Sequence, residues 1–185
     1  MSIINVPDFN ISSFSIGAPL KRRNKGYGCI LNYNGNDIVL QTPLCKIENI
    51  NLKEENTLSI VFKLSDNFEY FQFFCSLYEL IIKNLCRYSI NNKYDILSGC
   101  EGDHEKIRKV FKSHVSKIND TDMIINLKVK NNTLFFDSNK QSISGLELNV
   151  GDYVVCIIGS NQVSMDEDGS VHTWDCKQCL RWKKI

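Results

Sequence analysis

The sequence predicts a mainly β protein: a small closed or partly open β-barrel with one long helix inserted between its third and fourth strands. Strand-like runs occupy both ends of the 185-residue chain. A single long stretch has helical periodicity, and there is no series of crossover helices such as a doubly wound parallel sheet requires. A barrel with one inserted helix accommodates these observations.

One arm and one domain are predicted. Residues 1–20 contain two prolines and a glycine and show no clean hydrophobic period, so we expect a loosely ordered N-terminal arm. Residues 21–185 are then a single domain, because a chain of this length buries one substantial core.

The first strands are predicted from β-rich runs. Two of them flank Asn34-Gly35, a pair that adopts positive φ readily and therefore favours a tight hairpin turn. A third run alternates apolar and polar residues. These strands are predicted at 27–33, 36–42 and 57–64.

The long helix is predicted over residues 67–87, where apolar residues recur at helical spacing. The polar, lysine-rich segment 89–122 fits a short helix and an extended chain equally well. Strand patterns then return, and a polar turn at 166–169 leads to a closing pair of strands. The later strands are predicted at 123–130, 133–137, 151–164 and in a closing pair from 170 onward.

Composition limits the classes of function. The formal net charge is +1, so binding to nucleic acid would have to come from local clusters of Lys and Arg. The first residues lack the features of a signal peptide, and no apolar run reaches the ~18 residues that span a membrane. We therefore expect an intracellular protein whose eight cysteines are mostly small buried apolar residues.

Two cysteines near the end of the chain have C-x-x-C spacing. With Cys100 and His104, Cys176 and Cys179 have the composition of a tetrahedral zinc site. However, period-2 alternation on a strand would point the last two to opposite faces. Zinc is therefore kept as a minority alternative, and no cofactor is expected.

No catalytic motif is recognisable, so the protein is not expected to be an enzyme. The carboxylates Asp166, Glu167 and Asp168 suggest a metal-dependent nuclease, but a charged run ending in glycine is more typical of a solvated turn. No second carboxylate motif lies at a useful spacing. The nuclease is the weakest of the alternatives.

Basic residues interleaved with aromatic residues on strands predict single-stranded nucleic acid binding, because cations neutralise phosphates and aromatic faces stack on bases. The alternation of the last strand places Leu180 and Trp182 in the core, and Arg181 and Lys183 outside. The predicted contacts are Lys21, Arg22, Arg23, Lys25, Tyr27, Tyr33, Lys109, Lys112, Lys117, Lys128, Lys130, Phe136, Arg181 and Lys183.

Two stretches resemble a known family. "ILNYNGNDIVLQTPLCKI" (30–47) and the terminal "VVCIIGSNQVSMDEDGSVHTWDCKQCLRWKKI" (154–185) are similar to segments of the single-stranded-DNA-binding proteins of nucleocytoplasmic large DNA viruses. The resemblance implies an OB-fold and non-enzymatic, sequence-independent binding of exposed strands in viral DNA replication, recombination or repair. It also implies a location in the host cytoplasm or nucleus, with replication proteins and further copies of the chain as candidate partners.

This sequence departs from the acidic C-terminal tails by which replication single-strand binders often recruit partners, since no acidic residue follows Asp175. The alternative hypothesis is a non-enzymatic adaptor or host-interaction protein, zinc-clamped through the cysteine and histidine set, whose barrel displays a binding surface.

Overall fold

The computed structural model describes residues 3–22, 26–90, 97, 99–166 and 169–182. The strands before the long helix are β1 (Phe14–Ile16), β2 (Leu20–Lys21), β3 (Tyr27–Tyr33), β4 (Ile38–Gln41), β5 (Cys45–Asn51) and β6 (Thr57–Lys63). The helices are α1 (Phe68–Ser89) and α2 (His104–Val110). The later strands are β7 (Phe111–Ser113), β8 (Val115–Lys117), β9 (Asp122–Phe136), β10 (Tyr153–Ser160), β11 (Gln162–Asp166), β12 (Gly169–His172) and β13 (Trp174–Trp182).

Five strands close into a barrel. Around the ring β5 pairs with β6, β6 with β9, β9 with β13, β13 with β10, and β10 returns to β5. The β9–β13 pair is parallel and the other four pairs are antiparallel. Numbered along the chain, the ring order is first, second, third, fifth, fourth, which is the Greek-key barrel of the OB-fold.

The long helix was predicted at 67–87, and the structure confirms it as α1 (Phe68–Ser89). Its predicted position between strands 3 and 4 is not confirmed, because α1 lies between β6 and β9, the second and third barrel strands. The count differs because β5 was not predicted, whereas β3 and β4 were counted although neither belongs to the ring. A 3-10 turn at Gly145–Glu147 lies between the third and fourth barrel strands.

A second sheet extends the barrel. Its strand order is β1-β3-β11-β12-β7, with β2 also paired to β3. Strand β10 continues into β11, and β12 continues into β13, so one long hairpin belongs to both sheets. The loop between the fourth and fifth barrel strands is therefore itself β-structure, supported by the N-terminal strand β3.

The turn predicted at Asn34-Gly35 is confirmed, since both residues have positive φ, 50° and 75°. The predicted hairpin around it is reduced to a single bridge between Tyr33 and Asn36. Beyond that bridge β3 pairs with β11, and β4 pairs with β10. The turn thus joins the two sheets.

The N-terminal residues contact the domain. Strand β1 pairs with β3, and the Ile4 amide donates to the Val39 carbonyl at 2.7 Å. Val6 is buried, and the Phe9 ring lies 4.8 Å from that of Phe73 on α1. These contacts attach much of the segment that was predicted to be a loosely ordered arm.

Helix α1 packs against the junction between the two sheets. The Phe74 ring meets the fully buried Trp174 edge-on at 5.5 Å, and the Trp174 Nε1–H donates to the Tyr78 hydroxyl at 3.2 Å. None of the described helices is long and apolar enough to span a membrane. Six of the eight cysteines are buried, which agrees with their prediction as small apolar residues.

Thr42 ties the segment after β4 to the barrel. It is buried, its amide donates to the Cys156 carbonyl at 2.8 Å, and its Oγ1 accepts from the Cys156 amide at 2.9 Å. Replacing Thr42 with Val leaves that buried amide without an acceptor, so we expect a loss of about 1–3 kcal/mol in the free energy of unfolding. Urea denaturation measures it, and Thr42→Ser, which keeps the hydroxyl, should lose less; equal losses would contradict the role of the hydroxyl.

Candidate nucleic-acid interface

The outward side of the second sheet brings together cations from distant parts of the sequence. Gly28, Ser164 and Val171 are cross-strand partners on β3, β11 and β12, and Lys112 on β7 is in register with Val171. Arg22 reaches the same row, donating from Nη1 to the Ser164 Oγ at 2.8 Å and from Nη2 to Gln162 at 2.9 Å. Arg22 and Lys112 therefore share one solvent-facing sheet surface.

Gly28 makes room for the arginine. A Cβ at this position would lie 3.3 Å from the Arg22 Nε, closer than ordinary van der Waals contact. The absence of a side chain lets the guanidinium lie flat along the sheet, where two hydrogen bonds fix its orientation. A guanidinium held in this way presents its remaining N–H donors to solvent.

A second basic group lies on the outside of the barrel. Lys128 is in register with Thr57 on one side and Asp175 on the other, and Lys130 forms an ion pair with Asp175. The stem of Lys177 lies over Gly159, so a larger residue there would displace the lysine stem. We call Lys128, Lys130 and Lys177 the lysine cluster; it lies near the loop 52–56 and the base of the long hairpin.

Other predicted cations are engaged elsewhere. The Lys117 Nζ lies 4.8 Å from the centroid of the Phe71 ring, and the Arg181 Nη1 donates to the Glu147 carbonyl at 3.0 Å. Lys21 on β2 and Lys109 on α2 are exposed. The remaining predicted cations, Arg23, Lys25 and Lys183, lie outside the described residues.

The predicted stacking residues divide between the two sides of their sheets. The Tyr33 ring lies 4.9 Å from that of Phe14 and 6.2 Å from that of Phe9. Tyr27 is in register with the buried Met165, on the side of the sheet that faces the core. Phe136 is half-buried on the outward side of β9, in register with Leu180.

The predicted alternation of the last strand is wrong. Against β10, Ile158 pairs with Cys176 and Ile157 with Gln178, so Lys177 is an extra residue, a β-bulge. The pairing with β9 breaks at the same place, passing from Val129 to Leu134. A bulge adds one residue and reverses the inward and outward positions that follow. Trp182, predicted to lie in the core, is 49% exposed, whereas Arg181 takes the inward parity.

The same bulge turns both cysteines of the C-x-x-C pair into the barrel, where Cys176 and Cys179 are buried. Hydrogen bonds with these two thiols, together with burial, raise the pKa of Cys156 well above its ordinary value. A zinc ligand must be a thiolate. Cys156 is therefore a packed, protonated thiol and lacks the character of a zinc ligand.

The predicted zinc set does not assemble. His104 lies on α2, its Nε2 3.8 Å from the Glu79 carboxylate and 40% of its side chain exposed, whereas Cys176 and Cys179 lie inside the barrel. In the described ranges, no three or more His, Cys, Asp and Glu side chains are placed to hold a metal ion. Of the carboxylates considered for a nuclease, Glu167 and Asp168 lie outside those ranges.

Sequence reasoning missed several outward-facing residues of the barrel. The outward positions of Lys177 and Trp182 depend on the bulge, which cannot be recognised from a period-2 pattern in the sequence. Alternation along β10 places Tyr153 outside, because Val154 and Cys156 are buried. That Tyr153 is the cross-strand partner of Trp182 depends on the register of β10 with β13, which the sequence does not show.

The fold and surface define a class of molecule: an OB barrel, extended by a second sheet, with cations from separate segments gathered on its outward faces. No protein-family model and no curated protein matches the sequence.

Solved structures share the fold. The single-stranded DNA-binding protein from bacteriophage Enc34 is similar with a TM-score of 0.55 at 8% identity, over 92% of this chain and 90% of that one. The same phage protein in complex with ssDNA gives 0.53 at 8% identity, over 91% and 96%. Its C-terminal truncation gives 0.51 at 10% identity, over 92% and 96%.

Proposed function

We propose that this protein binds single-stranded DNA without sequence preference and without catalysis. The observation that carries the proposal is that cations from distant parts of the sequence lie on two exposed sheet surfaces: Arg22 and Lys112 on the second sheet, and the lysine cluster on the outside of the OB barrel. The bacteriophage Enc34 protein of the same fold is a single-stranded DNA-binding protein by name, and one of its structures is a complex with ssDNA.

Local charge supports this function although the chain is nearly neutral. Among the described residues Arg108, Lys106 and Lys130 have carboxylate partners, whereas Lys112, Lys128 and Lys177 have none there. Lysines without a carboxylate partner can neutralise phosphates and release the counterions condensed on the nucleic acid. This release is the main source of affinity for single strands.

The biological setting belongs to the same proposal. We infer that the protein protects exposed strands during viral DNA replication, recombination or repair, with replication proteins as further partners. The resemblance of segments 30–47 and 154–185 to the binding proteins of nucleocytoplasmic large DNA viruses supports this setting.

Salt dependence tests the proposal. A fluorescent dT oligonucleotide should bind in ~50 mM salt and be released as salt rises, with log K falling by about 0.7 per phosphate contact for each decade of salt. Three to four contacts give a slope of about −2 to −3. Fluorescence anisotropy measures binding in parallel on single-stranded DNA, RNA and duplex DNA.

Absence of dT binding in ~50 mM salt, where phosphate contacts are strongest, would overturn the proposal. Tighter binding to duplex than to single strands would also contradict it. Incubating the labelled oligonucleotide with Mg²⁺ or Mn²⁺ should leave it intact, and shortened products would show that the protein is an enzyme.

A further inference from the structure

Apolar and aromatic side chains predominate on the outward side of β10, of β13 after the bulge and of the last residues of β9, where Gln178 is the polar exception. Phe136, Leu180 and Val155 form one cross-strand row, and Trp182 pairs with Tyr153 in the next. We call the following residues the apolar platform: Leu134, Phe136, Tyr153, Val155, Leu180 and Trp182.

The platform is the solvent side of these strands. Phe135, Cys156 and Cys179, which alternate with its members, are all buried. Trp182 is 49% exposed and Leu134 50% exposed, and the other members are half-buried. Large apolar side chains grouped on an exposed sheet face mark a binding surface more often than scattered ones do.

The neighbouring face of the barrel is different. OB proteins bind oligonucleotides on the face of their second and third strands, here β6 and the first half of β9. The outward residues there include Thr57, Ser59 and Val61 on β6, and Ile124 and Asn126 on β9. No aromatic residue stands at an outward position of residues 57–63 or 122–128, so that face offers phosphate and polar contacts without base stacking.

Charge selects the occupant of the platform. On the described residues of β10 and β13 and on residues 127–136 of β9, the outward charged groups are the lysine cluster and Asp175, which is paired with Lys130. Lys46 borders the platform as the partner of Tyr153. A second copy packed face to face would bring lysines against lysines, whereas a polyanion with flat apolar faces complements both features.

We propose that the apolar platform stacks the bases of single-stranded DNA, with Trp182 as the main contact and the lysine cluster holding the adjacent phosphates. This inference rests on the proposed function and locates base stacking on the third, fifth and fourth barrel strands. The exposed indole offers the largest flat surface of the platform, and its neighbour Tyr153 extends that surface across the strand pair.

Alanine at Trp182 tests the inference. Because stacking is sequence-tolerant and its loss leaves the phosphate contacts in place, Trp182→Ala should bind a dT oligonucleotide about 10- to 100-fold more weakly with an unchanged salt slope. Trp182→Phe should recover most of the affinity. Phe68→Ala is the matched control, since Phe68 is 54% exposed on α1 and should leave binding unchanged.

Tryptophan fluorescence gives an independent readout. The chain has two tryptophans; Trp174 is fully buried and Trp182 is half exposed. Titration with the oligonucleotide should quench the emission of the unmodified protein, and the quenching should disappear in Trp182→Phe although binding by anisotropy persists.

The outcomes separate the two proposals. Binding by anisotropy with no quenching and no effect of Trp182→Ala would overturn the stacking platform and leave the proposed function standing. Failure of the unmodified protein to bind would overturn the proposed function itself. If Trp182→Ala instead converts an oligomer to a monomer in analytical ultracentrifugation without changing DNA affinity, the platform is a contact between copies and the inference is wrong.

Discussion

Replacing Arg22, Lys112, Lys128 and Lys177 together with glutamine is expected to weaken single-stranded DNA binding by about 10²- to 10³-fold at about 0.1 M salt. Each lost phosphate contact removes about 0.7 from the slope of log K against log salt, so the slope of about −2 to −3 expected for the unmodified protein should fall close to zero. Anisotropy titrations at several salt concentrations measure both quantities. The four side chains are on the outward faces of the two sheets.

An equal change of net charge on the other side of the molecule is the control. Lys83, Arg87, Lys106 and Arg108 are exposed on α1 and α2, and α1 packs on the core side of the second sheet through Tyr78 and His172. Their replacement with glutamine should change affinity less than about 3-fold, since long-range fields are screened beyond about 10 Å. Equal losses in both variants would show that overall charge, and not its placement, drives binding.

Acidification is expected to destabilise the protein through His172. The side chain is fully buried, its Nε2 lies 2.8 Å from the Ser160 Oγ, and its Nδ1 has no partner among the described residues. Burial, and then the charge of His114, lower the pKa of His172 from 6.5 to about 3. The folded protein therefore holds this imidazole neutral at pH values where the unfolded chain protonates it.

The direction of the pH effect on stability follows from the lowered pKa of His172. Above pH 6.5 neither state binds the proton, so the full stability is present; as pH falls below 6.5 the unfolded state binds a proton that the folded state excludes until about pH 3. The free energy of unfolding that His172 contributes is lower by about 3 kcal/mol near pH 4.5 than above pH 6.5. Burial also lowers the pKa of His114, which adds in the same direction.

Urea denaturation at about pH 7 and pH 4.5 measures the effect. His172→Gln removes the titrating group, so its stability should change less between the two pH values than that of the unmodified protein. An identical pH dependence in His172→Gln would contradict the assignment.

The sequence predicted correctly the elements that are specified by neighbouring residues. The helix α1 has apolar residues at i, i+3 and i+4 spacing, and the Asn34-Gly35 turn needs positive φ that these residues adopt readily. Strand β5 was not predicted. Its pairing shifts between Ile47 and Asn49, and the extra residue there interrupts the alternation of apolar and polar positions. Strand β9 was predicted as two strands, since Asn131-Asn132 has the composition of a turn.

The pairing of strands that are distant in the sequence could not be predicted from local patterns. Strand β3 finds its partner in β11, and β4 finds its partner in β10; both partners lie more than a hundred residues later in the chain, so no local signal specifies them. The candidate interface was predicted in part for the same reason. Lys112, Lys128 and Arg22 were recognised as basic residues, but the row that unites Arg22 with Lys112 exists through the pairing of four strands.

The bulge at Lys177 has a further consequence, for insertions and deletions. Side-chain direction along a strand has a parity, and a single extra residue inverts it for everything downstream. Deleting Lys177 would remove the bulge and bring Cys176 and Cys179 to i, i+2 spacing, so both thiols would stay in the barrel and Trp182 would stay outside with regular pairing to β10. The loss of this one codon is therefore expected to preserve the direction of the terminal tryptophan, because the strand carries its extra residue at the bulge.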